Sequence, residues 1–89
     1  GEATVLVSGK GAPFGMAVDA KNLYFTIPDR GIVWQQSLSG GEPLALAAGQ
    51  QSPYGVAVDD NYVYWTNEGT YDGSHRSNGD GTIMRTKKR

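Results

Sequence analysis

Apolar positions along this chain come in short bursts separated by glycine, proline and polar pairs. No stretch carries apolar residues at i, i+3, i+4 and i+7 for the length of a helix. The bursts are instead four to seven residues long and rich in β-branched and aromatic side chains, as in Leu23-Tyr24-Phe25-Thr26-Ile27 and Val63-Tyr64-Trp65-Thr66-Asn67. Ile32–Leu38 and Thr82–Lys88 alternate apolar with polar positions. Gly15–Asp19 and Gly55–Asp59 alternate Gly or Ala with Met and Val, and Thr4–Val7 and Leu44–Ala47 are weakly apolar and bounded by glycine. The pattern predicts eight short strands and an all-β chain.

These strands repeat. At an offset of 40 residues, Gly1, Glu2, Leu6, Gly9, Pro13, Gly15, Ala17, Val18, Asp19, Tyr24 and Thr26 each meet an identical residue. Phe14/Tyr54 and Phe25/Trp65 are conservative pairs. After Asp29 the offset becomes 50, with Gly31-Ile32-Val33-Trp34 falling on Gly81-Thr82-Ile83-Met84, so the second copy carries about ten extra residues between Glu68 and Asp80. The organisation read here is one repeat over 1–40 and a second over 41–89, with an insertion at 68–80. A period of 40 to 50 residues with four strands per unit predicts propeller blades. Small residues suit the crowded innermost strand, which places Gly15-x-Ala17 and Gly55-x-Ala57 at strand A. The chain then reads D-A-B-C-D-A-B-C, beginning on an outer strand and ending one strand short of a finished blade.

The residues that carry the repeat are Pro53-Tyr54-Gly55-Val56-Ala57-Val58-Asp59, then Tyr64-Trp65-Thr66-Asn67, then Gly81-Thr82-Ile83-Met84. Together they resemble the YWTD repeat of six-bladed β-propellers, a group related to NHL-type and bacterial lyase-like propellers. The resemblance spans the whole chain as two blades. Asn67 stands where that motif usually has Asp, and the first copy, Tyr24-Phe25-Thr26-Ile27, departs at the same place. It implies a propeller fold and a bacterial, extracellular or periplasmic setting. It speaks weakly to function, because such propellers serve as receptor ectodomains, sensors and enzymes.

Two blades do not close a ring, and the strand order suggests how one is completed. Ile32–Leu38 has Leu44–Ala47 to pair with, but Thr82–Lys88 has no strand left in its own chain. Thr4–Val7, in turn, has no strand before it. Donation of the N-terminal strand to a neighbour would link copies head to tail, and three copies would give the six blades of the resembled family. A homotrimer is the expectation; the alternative is a fragment whose remaining blades lie on another polypeptide.

Composition narrows the rest. Eight Lys and Arg against nine Asp and Glu leave a net charge of −1, which argues against a dedicated nucleic-acid or membrane-surface binder. No cysteine is present, so disulfides, thiol catalysis and Cys-ligated zinc are excluded. No apolar run approaches the length of a membrane span. The chain opens on Gly1 rather than Met, which reads as a processed, excised or engineered product.

The insertion holds the one histidine and joins strands B and C, on the face shared with the D-to-A loops at 10–13 and 50–53. Candidate ligand-binding residues there are Asn67, Tyr71, Asp72, His75 and Arg76, with Gln51 and Tyr54 from the adjoining loop. They offer hydrogen bonds and a stacking ring to a glycan or peptide. A tolerated surface insertion is the plainer alternative. Asp72-Gly-Ser74 and Asn78-Gly-Asp80 hold oxygen ligands, but their spacing is not that of a calcium-binding EF-hand, so no metal or cofactor is expected. Asp19 and Asp59 suit side-chain capping of turns, and the basic end Arg85-Thr86-Lys87-Lys88-Arg89 suits a solvated or edge-protecting strand. One histidine and no GxSxG motif leave little for catalysis, so the chain is expected not to be an enzyme. The runner-up is a metal-assisted lyase or hydrolase using His75, because the resembled bacterial lyases use histidines and a divalent metal.

Overall fold

A computed structural model describes residues 3–69 and 79–89. The chain is all-β, with strands β1 (Met16–Val18), β2 (Asn22–Ile27), β3 (Ile32–Ser37), β4 (Leu44–Ala47), β5 (Pro53–Val58), β6 (Tyr62–Asn67) and β7 (Thr82–Lys87). They form two antiparallel sheets, β1-β2-β3-β4 and β5-β6-β7, in which every strand pairs with its neighbour in sequence. The single helical turn, Pro28–Arg30, carries β2 into β3 and ends on Gly31 in the left-handed region at φ 68°.

The eight-strand expectation needs one correction. Thr4–Val7 joins no ladder, so the described residues hold seven strands. A strand forms only where a partner takes up its N–H and C=O groups, and none lies beside this segment. Its repeat counterpart β4 has such a partner: β3 pairs with it at Val33↔Ala47, Trp34↔Ala45 and Gln35↔Leu44, across a bulge between Val33 and Trp34. The first sheet therefore ends with a strand from the second repeat.

The two sheets share a core. Tyr24, Val33 and Leu46 of the first meet Val63 and Trp65 of the second, with Ala47, Val56 and Val58 packed around them. Across the contact the Thr26 hydroxyl donates to the Tyr54 carbonyl at 2.7 Å, and the same Thr26 Oγ1 accepts the Gly15 N–H at 2.9 Å. Position 15 has to be glycine, because a Cβ there would run into the Tyr54 carbonyl oxygen. On its far side the first sheet presents Leu23, Phe25 and Ile27, against which Val7 and Trp34 pack.

Burial along the two equivalent strands shows what each sheet lacks. In β2, all five residues Leu23–Ile27 are buried, because both faces are covered. In β6, Val63, Trp65 and Asn67 are buried but Tyr62 and Tyr64 are half-buried and Thr66 is exposed. The same aromatic strand is thus covered on two faces in one sheet and on one face in the other.

Candidate functional site

One candidate surface is polar and lies where the expected insertion begins. Glu68 N–H donates to the Ser52 carbonyl and Gly69 N–H to the Gln51 carbonyl, both at 3.0 Å, which straps the start of the 68–80 segment onto the β4–β5 loop. Asn67 closes β6 beside this strap and is 8% exposed. Its Nδ2 donates to Gln50 Oε1 at 2.8 Å and to Thr82 Oγ1 at 3.3 Å. The Trp65 indole N–H donates to the same Gln50 oxygen at 3.2 Å. Asn67 Oδ1 is buried and has no hydrogen-bond partner among the described residues; an unmet buried acceptor costs roughly 1–3 kcal/mol.

Of the sequence-derived candidates, Asn67 and Gln51 are brought together here. Tyr54, after Gln51, lies in β5, but its ring stands edge-on to Phe14, with centroids 4.5 Å apart. Tyr71, Asp72, His75 and Arg76 lie outside the described residues. The residue that sequence reasoning missed is Gln50, the acceptor shared by Trp65 and Asn67. Its repeat counterpart is Lys10, so the pattern of identities gave no reason to single it out.

A second group of polar side chains is structural. Asp19 Oδ1 accepts the Lys21 and Asn22 N–H groups at 2.9 and 2.7 Å, and Oδ2 accepts the Tyr24 hydroxyl at 2.8 Å. Asp59 does the same with Asn61, Tyr62 and Tyr64. The capping role read from the repeat therefore holds at both positions. Asp19 has one partner that Asp59 lacks: Lys88 Nζ at 2.8 Å from Oδ2. The basic end is drawn further into the fold by Arg85, whose guanidinium lies 4.1 Å from the Tyr62 ring centroid. Gln35 meanwhile exchanges two hydrogen bonds with the Arg89 backbone.

Burial raises the Asp19 carboxyl's pKa, but Lys88, the two N–H groups and Tyr24 outweigh it and hold the group well below the usual carboxylate range. For Tyr24, burial first and then the Asp19 carboxylate push the phenol up to about 12. A carboxyl that binds its proton more weakly when folded adds stability above about pH 4, and this is lost as pH falls further. A phenol with a raised pKa adds stability below about pH 10 that is lost as pH rises through about 12. Tyr24→Phe is therefore expected to cost about 1 kcal/mol near neutrality and to flatten the alkaline limb. Urea titrations from pH 7 to 12 would show it, and a variant that keeps the wild-type alkaline slope would disprove the assignment to Tyr24.

The third surface is apolar and open. A cleft of about 700 Å³ lies between the N-terminal segment and the far side of the first sheet, lined by Val5, Leu6, Phe14, Met16, Leu23 and Phe25 among others. Phe14 is 70% and Met16 68% exposed. β7 pairs only with β6 among the described residues, and Ile83 on it is 80% exposed. Edges and apolar faces of this kind are where chains associate.

Set against known proteins, the chain matches no family model, no curated protein and no solved structure. The residues and their geometry therefore carry the functional reading. No helix among the described residues is long and apolar enough to cross a membrane, and these residues hold no group of three His, Cys, Asp or Glu placed to hold a metal ion.

Proposed function

We propose that this chain is a non-catalytic assembly module, a two-blade β-propeller building block that completes itself with further copies and presents the finished ring as a binding scaffold. The observation that carries this is the pairing of β4. The strand Leu44–Ala47 finishes the first sheet along β3, while β7, the repeat counterpart of β3, pairs only with β6 among the described residues. The counterpart of β4, Thr4–Val7, lies unpaired at the other end of the chain. Val7 already packs on Leu23, Phe25 and Ile27 much as Ala47 packs on the core that holds Val63 and Trp65. This packing supports reading the segment as a fourth strand that waits for its neighbour.

Donation to β7 of a second copy, in the register of β3 and β4, sets Val7 opposite Ile83, Val5 opposite Met84 and Thr4 opposite Arg85. Each chain supplies two blades, so three copies make the six-bladed ring that the YWTD resemblance implies. The face that carries the β4–β5 loop and the strapped residues Glu68 and Gly69 is then the recognition surface for a glycan or peptide, with Gln51 at its edge and Asn67 beneath it.

Light scattering after size exclusion tests the assembly. The expected mass is about three times the 9.5 kDa of one chain. A folded chain that stays at 9.5 kDa up to high micromolar concentration would overturn the proposal.

A further inference from the structure

Given the assembly proposed above, on which this inference rests, the repeat also points to the faces that would meet. The repeat makes the two outer faces of the molecule counterparts of the two inner ones. The buried face of the first sheet carries Tyr24, Thr26 and Val33, whose counterparts Tyr64, Thr66 and Ile83 form the uncovered face of the second sheet. The buried face of the second sheet carries Val56, Val58, Val63 and Trp65. Their counterparts Met16, Val18, Leu23 and Phe25 line the open cleft or stand beside it. Each open face is thus a copy of a face that already has a partner, and the two open faces are of the two complementary kinds.

We infer that a second copy of this chain seats its Tyr64–Thr66–Ile83 face in the cleft of the first, repeating between molecules the contact made within one. A backbone contact makes the match specific. Inside the chain, Gly15 N–H donates to Thr26 Oγ1, and Thr26 donates on to the carbonyl of Tyr54. The first half of that relay is already built in the second sheet, where Gly55 N–H donates to Thr66 Oγ1 at 3.1 Å. The second half needs a carbonyl in the position of Tyr54, and the counterpart of Tyr54 is Phe14, at the mouth of the cleft. Thr66 of one copy donates to the Phe14 carbonyl of the next.

Gly55 is then a glycine for a reason the single chain does not supply. At Gly15 a Cβ would strike the Tyr54 carbonyl, whereas at Gly55 it would meet only Thr66 Oγ1, at 3.3 Å. That threonine is exposed and free to shift by a few tenths of an ångström. In the seam between copies the Phe14 carbonyl occupies the space, and alanine no longer fits.

The test is Gly55→Ala beside Thr66→Val, each followed by light scattering and far-UV circular dichroism across a dilution series. The expected result is an unchanged β spectrum with association weakened about tenfold to a hundredfold for Gly55→Ala. For Thr66→Val, which keeps the shape of the side chain and removes only its hydroxyl, the expected weakening is about fivefold. Wild-type protein that assembles alongside two variants that assemble equally well would overturn this seam and leave assembly standing. Wild-type protein that never assembles would remove both. Should Gly55→Ala fail to fold, Thr66→Val decides alone.

Discussion

Trp65→Ala is expected to unfold the chain at room temperature. Trp65 is 3% exposed and lies where the two sheets meet, among Tyr24, Val33, Leu46 and Val63. Removing a buried indole costs about 3–5 kcal/mol in lost transfer energy and residual cavity. A second loss adds to this, since Gln50 Oε1 would keep only its bond from Asn67. A domain of this size holds roughly 5–10 kcal/mol in total at best, and one with an uncovered sheet face and an open apolar cleft has less. The measurement is urea unfolding followed by far-UV circular dichroism at 25 °C. A cooperative transition within about 1 kcal/mol of wild type would show that the contact between sheets is not the seat of stability.

Gly15→Ala is expected to be nearly as damaging, although it adds a single methyl group. The Cβ would overlap the Tyr54 carbonyl oxygen and press on Thr26 Oγ1 at 3.2 Å. Both are fixed, the first by the β5 backbone and the second by its two hydrogen bonds. The sheets would have to part, which strains the core by about 1–3 kcal/mol and loses a buried hydrogen bond worth about 1 kcal/mol more. Thermal unfolding of the two glycine variants side by side gives the check. Gly15→Ala should melt many degrees lower, whereas Gly55→Ala should differ little as an isolated chain. Equal melting temperatures would mean that the close approach at Tyr54 yields without cost.

Much of the fold is legible in the residues because the strands are short, punctuated and duplicated. Leu23–Ile27 and Val63–Asn67 are marked by aromatic and β-branched content, and the structure places strands at both. Asp19 and Asp59 read as turn caps because each ends the expected strand A of its copy of the repeat, and each caps as expected. What periodicity does not convey is pairing. Thr4–Val7 looks like a strand by its counterpart, but a strand exists only with a partner, and composition is silent on where partners sit. The Pro28–Arg30 turn was likewise invisible, since one turn leaves no periodic trace.

The polar residues were less legible still. Lys88 belongs to a basic run that reads as solvated, and only the sheet contact brings its ammonium to Asp19. Nothing in the sequence sets Gln50 above Gln51, because adjacent glutamines in a loop cannot be ranked without knowing which one turns inward. The side chains of a loop are set by what it leans on, and that is tertiary information.

The order of the strands has a consequence for how the molecule comes into being. Both sheets are meanders, each strand laid against the one just before it in the chain. Every ladder but β6–β7, whose strands are joined by residues 68–81, can therefore close over a short loop, at small entropic cost and without a search through distant segments. The first sheet has its four strands once the chain has reached Ala47, and the second has its three, among the described residues, by Lys87. Zipping of hairpins comes early on this view, and the meeting of the sheets, where Trp65 finds Tyr24 across 41 positions of sequence, comes last.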